Sequence, residues 1–292
     1  MDDDQLIIHE LKEGEQLIAP RLKGGLGNQM FQIAAAYGAG RKHGAGMAID
    51  LSITHTSGQG HPHTKYDKNL YLKVPRFSFK GTEFDMYNEP KFSHTEIPKP
   101  ADGKHMIIDG YFQSELYFKH ISTDVRRLFK IPDDIKDGVK EKIEKIKNHF
   151  NKELAVCVHV RRGEYLMLPN IHPVQTVDFY RKAMSLFDES KTVFIVISDD
   201  MKWCVNNLNI HTMAFCNSGY DYDTKPVTDE LPELFDMYLA SQCDGNIISN
   251  SSFGWWGAWL NLVQRVVAPA RWFGPDGPPD FQDIYCDDWK IV

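Results

Sequence analysis

From residue 155 onward the chain repeats one arrangement, and that alternation limits its fold more than any other feature. Short apolar runs of β-forming residues, "AVCVHV" (155–160), "TVFIVIS" (192–198), "MAF" (213–215), "GNIIS" (245–249) and "RVVA" (265–268), are separated by helical stretches near 176–187, 201–208, 230–241 and 255–262. Strand and helix in alternation build an α/β domain. The first fifty residues hold a shorter version: a strand, a glycine turn, an Ala-rich helix over about 29–43 and a strand at 47–50, which together make a βαβ unit. A further strand is expected at 106–108, with a loop leading into a helix. The Gly-, His- and Pro-rich stretch 52–100 reads as an irregular excursion with short helices.

The charged segment "DDIKDGVKEKIEKIKNHFNKE" has Ile135, Val139, Ile143 and Ile146 at helical spacing and one solvated face. It comes just before the second series of strands, so the economical division is two α/β halves joined near residue 150, with the cleft between halves as the default site. A chain of 292 residues is long enough for both. Its formal net charge of −7 argues against a nucleic-acid partner and makes any phosphate site local. Five scattered cysteines without CxxC spacing fit a reducing compartment better than a zinc site or a disulfide framework. The acidic start "MDDDQLIIHELKEGEQLI" has neither the form of a signal peptide nor that of a membrane anchor, so the chain reads as soluble and cytoplasmic.

Chemistry concentrates at a few strand ends. "GGLGNQMFQ" (24–32) follows a strand and opens a helix, where glycines and free N–H groups suit either an anion or a plain turn. It lacks the third glycine of the dinucleotide fingerprint. The run 155–160 ends in Arg161 and Arg162, whose guanidinium forks suit phosphate oxygens or a structural acid such as Glu164. Ser198, Asp199 and Asp200 end another strand, where a carboxylate can take a base or ribose or can cap the next helix. "NSSFGWWGAWL" puts Asn250, Ser251 and Ser252 at a strand end, followed by Trp255, Trp256 and Trp259 at helical spacing that reads as core. Asn250 also opens a glycosylation sequon, which reads as chance. Asp221-x-Asp223 has the spacing of a manganese site but reads as a solvated turn.

Taken in order, "GGLGNQMFQ", "GYFQSELYF", "HVRRGEYL" and "NSSFGWWGAWL" resemble the α-1,2-fucosyltransferase family of inverting glycosyltransferases. "IDLS" (49–52), "SDD…WC" and "APARWF" are similar to further segments of it, so the resemblance runs from about residue 20 to 275. It implies a GT-B-type α/β fold, with two Rossmann-like domains facing each other across a cleft: 1–150 on the acceptor side and 151–292 binding the donor. It also implies metal-independent, inverting transfer of L-fucose from GDP-β-L-fucose to a glycan hydroxyl, galactose O2. His159 and Arg161 or Arg162 would meet the diphosphate with Asn250, Ser251, Ser252 and the loop of Gly25, Gly27, Asn28 and Gln29. Asp199 or Asp200 would receive the guanine or ribose. Candidates for a general base are His172, Glu115 and Asp109. The chain departs from the family pattern at Glu164, where Asp is usual, and at Gly254, where Ser is usual. The competing readings are an oxidoreductase using nucleotide-sugar or NAD through the glycine turn, and a non-catalytic carbohydrate-binding protein built on the Trp cluster.

Overall fold

A computed structural model describes residues 6–51, 60–208, 212–216 and 231–292. The chain divides into two compact units, one running to Lys130 and including Asp280–Ile284, the other made of Ile131–Pro279 and Tyr285–Val292. The boundary thus falls twenty residues before the position expected from sequence. The reason is the helix α3 (Asp133–Phe150): its buried Val139 and Ile143 pack on the second unit's strands and on a later helix, so the charged segment is that unit's first element, not a linker. The segment Asp280–Ile284 joins the first unit through carboxylates, with Asp280 accepting from Ser93 N–H at 2.9 Å and Asp283 from His94 N–H at 2.8 Å.

In the first unit the strands are β1 (Leu17–Pro20), β2 (Gly46–Met47), β3 (Ile49–Asp50), β4 (Arg76–Phe77), β5 (Phe84–Asn88) and β6 (His105–Asp109), with helices α1 (Leu26–His43) and α2 (Ser122–Leu128). β2-β1-β6-β5 form one parallel sheet and β3-β4 a small second one. The β1-α1-β2 crossover confirms the expected βαβ unit, although α1 begins at Leu26 and the strand expected at 47–50 splits between the two sheets. "Irregular excursion" was incomplete for 52–100, which supplies β4 and β5 among its described residues. β5 is an edge strand that leaves Phe84 and Met86 about 43% and 44% exposed, so its apolar residues mark the outer face and not the core. After β6 the chain makes 3-10 turns at Glu115–Tyr117 and Lys119–Ile121 before α2, not one continuous helix.

In the second unit β7 (Leu154–Val160), β8 (Thr192–Ser198), β9 (Met213–Phe215), β10 (Gly245–Ile247), β11 (Val266–Ala268) and β12 (Lys290–Ile291) form one parallel sheet in the order β12-β11-β10-β7-β8-β9. The chain leaves β7 in one direction through β8 and β9, then returns to β7's other side and runs outward through β10, β11 and β12. That is the doubly wound nucleotide-binding order, with its switch point between β7 and β10. Helices α4 (Val177–Met184), α5 (Met201–Asn207), α6 (Pro232–Gln242) and α7 (Ser252–Leu260) cover the sheet. Val156, Val158 and Val160 pack with α4 and α5, whereas Cys157 and His159 point to the opposite face. Burial on both faces explains why β7 and β8 read as unbroken apolar runs. Trp255, Trp256 and Trp259 are at most 2% exposed and stack with one another in the core, so the carbohydrate-binding reading that placed them on the surface fails.

Candidate active site

Because β7, β8 and β10 run parallel and adjacent, their carboxyl ends deliver Arg161–Arg162, Asp199–Asp200 and residues 249–252 to one edge of the sheet. The two arginines are held differently. Arg161 forms ion pairs with Glu164 and with Asp199 (Nη1 to Oδ2, 3.0 Å), and its guanidinium lies 5.4 Å from the Tyr165 ring centre. Burial works against its charge, and the two acids outweigh that. Arg162 is more enclosed: its guanidinium stacks 3.9 Å over Trp203, its Nε donates to Asp200 Oδ2 at 3.1 Å and its main-chain N–H donates to Asp199 Oδ1 at 2.9 Å.

These contacts engage both acids within the chain. Asp200 gives Oδ2 to Arg162 and Oδ1 to the Trp203 N–H (3.1 Å), capping α5, so both of its oxygens are engaged within the chain. Asp199 is likewise an arginine partner through both oxygens. Asn250 is 1% exposed; its amide donates to Trp272 O (2.9 Å) and its carbonyl accepts from Gln175 (2.9 Å). It ties the loop after β7 to the segment after β11, with its side-chain amide bonded within the chain; the same burial removes the sequon. Ser251, 5% exposed, bonds the Tyr165 side chain and does not cap α7, while Ser252 begins that helix. The α7 N-terminus, with its partial positive charge, therefore stands at the switch point beside Arg161.

His159 is 6% exposed, and its Nδ1 lies 2.9 Å from Ser249 Oγ. Burial, with the Arg161 charge adding to it, pushes its pKa down to about 3, so the ring is neutral. Gly254 lies against this ring: a Cβ built there comes within 2.6 Å of Nδ1. The serine usual at that place has no room here unless His159 moves, which accounts for the glycine. His172 stacks on Tyr165 (centroids 4.6 Å, interplanar 16°) and meets Phe273 at 5.7 Å, while its buried Nδ1 has no hydrogen-bond partner. Burial lowers its pKa, opposed by Glu164 and assisted by Arg161.

In the first unit the glycine loop is pinned by carboxamides. Gln29, fully buried, donates to Gly24 O (3.0 Å) and His61 O (2.8 Å), and Gln32 exchanges bonds with the Lys23 main chain at 2.9 and 3.0 Å. Gln29 thus latches the loop from within. Gly25 is the N-cap of α1, and a Cβ there meets nothing within 4 Å, whereas a Cβ on Gly60 would lie 2.6 Å from Gly25 Cα, so Gly60 packs on the loop's main chain. Gly27 is buried inside α1, and Asn28 Oδ1 accepts from Gln113 at 2.6 Å. Asp109 pairs with Arg21 (3.2 Å) and Lys23 (2.7 Å), and Glu115 with Lys119 (3.3 Å). Sequence reading missed Glu89, at the end of β5, which accepts the N–H groups of Tyr111 and Phe112 at 2.6 and 2.9 Å and whose pKa burial raises. No local pattern marks it, because its partners lie more than twenty residues away.

Among the described residues no group of three or more His, Cys, Asp or Glu side chains is placed to hold a metal ion, and no helix is long and apolar enough to cross a membrane. Asp221 and Asp223 lie outside the described residues.

Two parallel-sheet α/β units, one doubly wound with arginines at its switch point, make up a fold of GT-B type. A profile of glycosyl transferase family 11 matches residues 6–292, and the chain belongs to that family. It is 29% identical over 280 residues to an α-1,2-colitosyltransferase of Escherichia coli, covering 88% of this chain and 92% of that protein. It is 24% identical over 269 residues to galactoside α-(1,2)-fucosyltransferase 2 of Sus scrofa, covering 87% and 72%. A crystal structure of NodZ α-1,6-fucosyltransferase soaked with GDP-fucose superposes with a TM-score of 0.51 at 15% identity, over 84% of this chain and 93% of that one, a likeness of fold.

Proposed function

We propose that the chain is an inverting fucosyltransferase that moves L-fucose from GDP-β-L-fucose to O2 of a galactose in a glycan acceptor. The observation that carries this is Arg161 beside the α7 N-terminus at the β7/β10 switch point: a mobile-charge fork and a helix dipole converge where a doubly wound sheet receives a diphosphate. Its family membership supports the same reading, as do relatives named for α-1,2 transfer.

In this reading the second unit holds the donor and the first the acceptor. Arg161 exchanges Asp199 and Glu164 for phosphate oxygens and neutralises the charge that grows on GDP as the sugar–oxygen bond breaks, with no metal required. Arg162, clamped on Trp203 and Asp200, sets the strand end from which Arg161 reaches. Neutral His159 and Ser251–Ser252 line the phosphate side within the second unit. His172 is the favoured base, because burial lowers its pKa and leaves a neutral imidazole at neutral pH, while Glu115 and Asp109 are already ion-paired. Inversion accompanies single displacement: the acceptor oxygen forms its bond to the anomeric carbon as GDP leaves and the proton passes to the base.

Incubation with GDP-fucose and a panel of β-galactosides, with linkage analysis, should yield an α-1,2-fucosylated galactoside and GDP, in EDTA as well as without it. Absence of any fucosylated product overturns the assignment. GDP-linked colitose belongs in the same assay, since the E. coli relative is named for that sugar.

A further inference from the structure

At the carboxyl edge of the first unit's sheet one large aromatic side chain stands open to solvent: Tyr111, 41% exposed, two residues past the end of β6. Its surroundings are unusually fixed for an exposed residue. Glu89 grips the main-chain N–H groups of Tyr111 and Phe112 with its two oxygens. Gly110 packs so closely on Glu89 that a side chain there would collide with it. Phe112 adopts φ +50°, in the left-handed region, with its ring fully buried and edge-on to Tyr117 at 5.3 Å. Gln113 is bonded to Asn28 of the glycine loop.

A left-handed non-glycine residue costs on the order of 1–3 kcal/mol and persists only where its surroundings over-determine it. A largely buried carboxylate adds a further cost. None of this serves to pack the Tyr111 ring, which remains outside. The arrangement instead fixes an exposed aromatic face in one place, beside polar groups that are themselves anchored. Lys23 Nζ lies over one face of the ring, 4.9 Å from its centre, and 2.7 Å from Asp109 Oδ1, while Arg21 reaches the other Asp109 oxygen, which leaves the opposite face of the ring to a ligand.

A rigid aromatic face rimmed by a carboxylate and an ammonium group fits a pyranose. The ring accepts the C–H face of the sugar and the charged groups take hydroxyls from the side. In galactose the axial O4 leaves one face with the C–H bonds of C3, C4 and C5 grouped together, which is the surface such a ring covers. We infer that Tyr111 is the stacking platform for a galactose-like pyranose of the acceptor, with Asp109 and Lys23 as its hydrogen-bonding rim. This rests on the glycan-transfer reading above. It assigns acceptor recognition to a side chain with Lys23 over one face of its ring, and it implies that Asp109 binds sugar and does not act as a base.

The test uses the full chain with GDP-fucose as donor and lactose as acceptor, comparing Tyr111→Phe, Tyr111→Leu and Tyr111→Ala. Tyr111→Ala should raise the lactose KM roughly 10- to 100-fold while the GDP-fucose KM and the thermal shift produced by GDP stay at parental values. Tyr111→Phe, which keeps the ring, should stay near the parent, and Tyr111→Leu, which keeps apolar bulk without the flat face, should fall between. A lactose KM unchanged in Tyr111→Ala overturns the inference and leaves the transfer reading standing. So does a rise in donor KM that matches the rise in acceptor KM. If the parental chain fucosylates neither lactose nor any other β-galactoside, the transfer reading fails and takes this inference with it.

Discussion

The arginine segment of the second unit and the glycine loop of the first are held in opposite chemical styles. In the second unit the edge is charged and self-neutralised: Arg161 with Asp199 and Glu164, Arg162 with Asp200. In the first, the glycine loop is held by neutral carboxamides, Gln29 and Gln32 latching its main chain and Asn28 joined to Gln113. An ion pair at a partly exposed edge is worth little and exchanges readily for a better anion, whereas a buried amide bonded to main-chain carbonyls is costly to disturb. The arginine segment is therefore built to trade partners and the glycine loop to keep its shape.

The comparison breaks most visibly at the arginines. Arg161→Lys keeps a positive charge but loses the fork, so transfer should fall by about 100- to 1000-fold with the fold intact and GDP affinity weakened by less. Arg162→Lys loses its stack on Trp203, and its main effect should be a loss of about 1 kcal/mol of stability, read by denaturant unfolding. Equal losses of turnover in both variants, with unchanged stability, would show that the two side chains share one role.

On the amide side, Gln29→Leu should cost about 1–3 kcal/mol by leaving the Gly24 and His61 carbonyls without their donor, while the thermal shift on adding GDP persists. Parental stability in this variant would mean that the loop keeps its shape without the latch.

The smallest effect sharpens the electrostatic half. His159 has a folded pKa of about 3, below its ordinary value of about 6.5, so the unfolded chain takes up a proton that the folded chain refuses. Its contribution is present above the unfolded pKa and is lost as pH falls toward 3. Between pH 7 and 5.5 that amounts to about 1 kcal/mol, and unfolding measured at the two values should show His159→Asn losing less stability than the parent by about this margin. Identical pH dependence in both proteins would place the His159 ring in a more hydrated setting than its contacts with Ser249 and Phe253 describe.

Much of this was legible from residue order. Strands β8 and β9 fall at the residues expected, because runs buried on both faces carry their own signal, and Arg161 and Arg162 do end a buried strand. β5 was not legible, since its apolar side chains face outward. Nor was the allegiance of α3: an amphipathic helix states which face it buries and not what covers it. The inward turn of Asn250 and Asp200 and the grip of Glu89 depend on partners outside their own segments, in Gln175 and Trp272, in Arg162, and in Tyr111 and Phe112.

The sequence by itself determined the local pieces: where the chain becomes strand or helix, where glycine opens a turn, and which strand ends carry charge, because periodicity and propensity act over a few residues. Tertiary structure alone decided which of those ends meet. The order β12-β11-β10-β7-β8-β9 brings Ser249 to His159 across 90 residues and Asp199 to Arg161 across 38, so that sheet order selects which polar side chains are spent on the fold and which stay exchangeable. Hydrogen bonds and ion pairs reach only a few ångströms, and no local pattern in the chain records which distant segments will be brought within that reach.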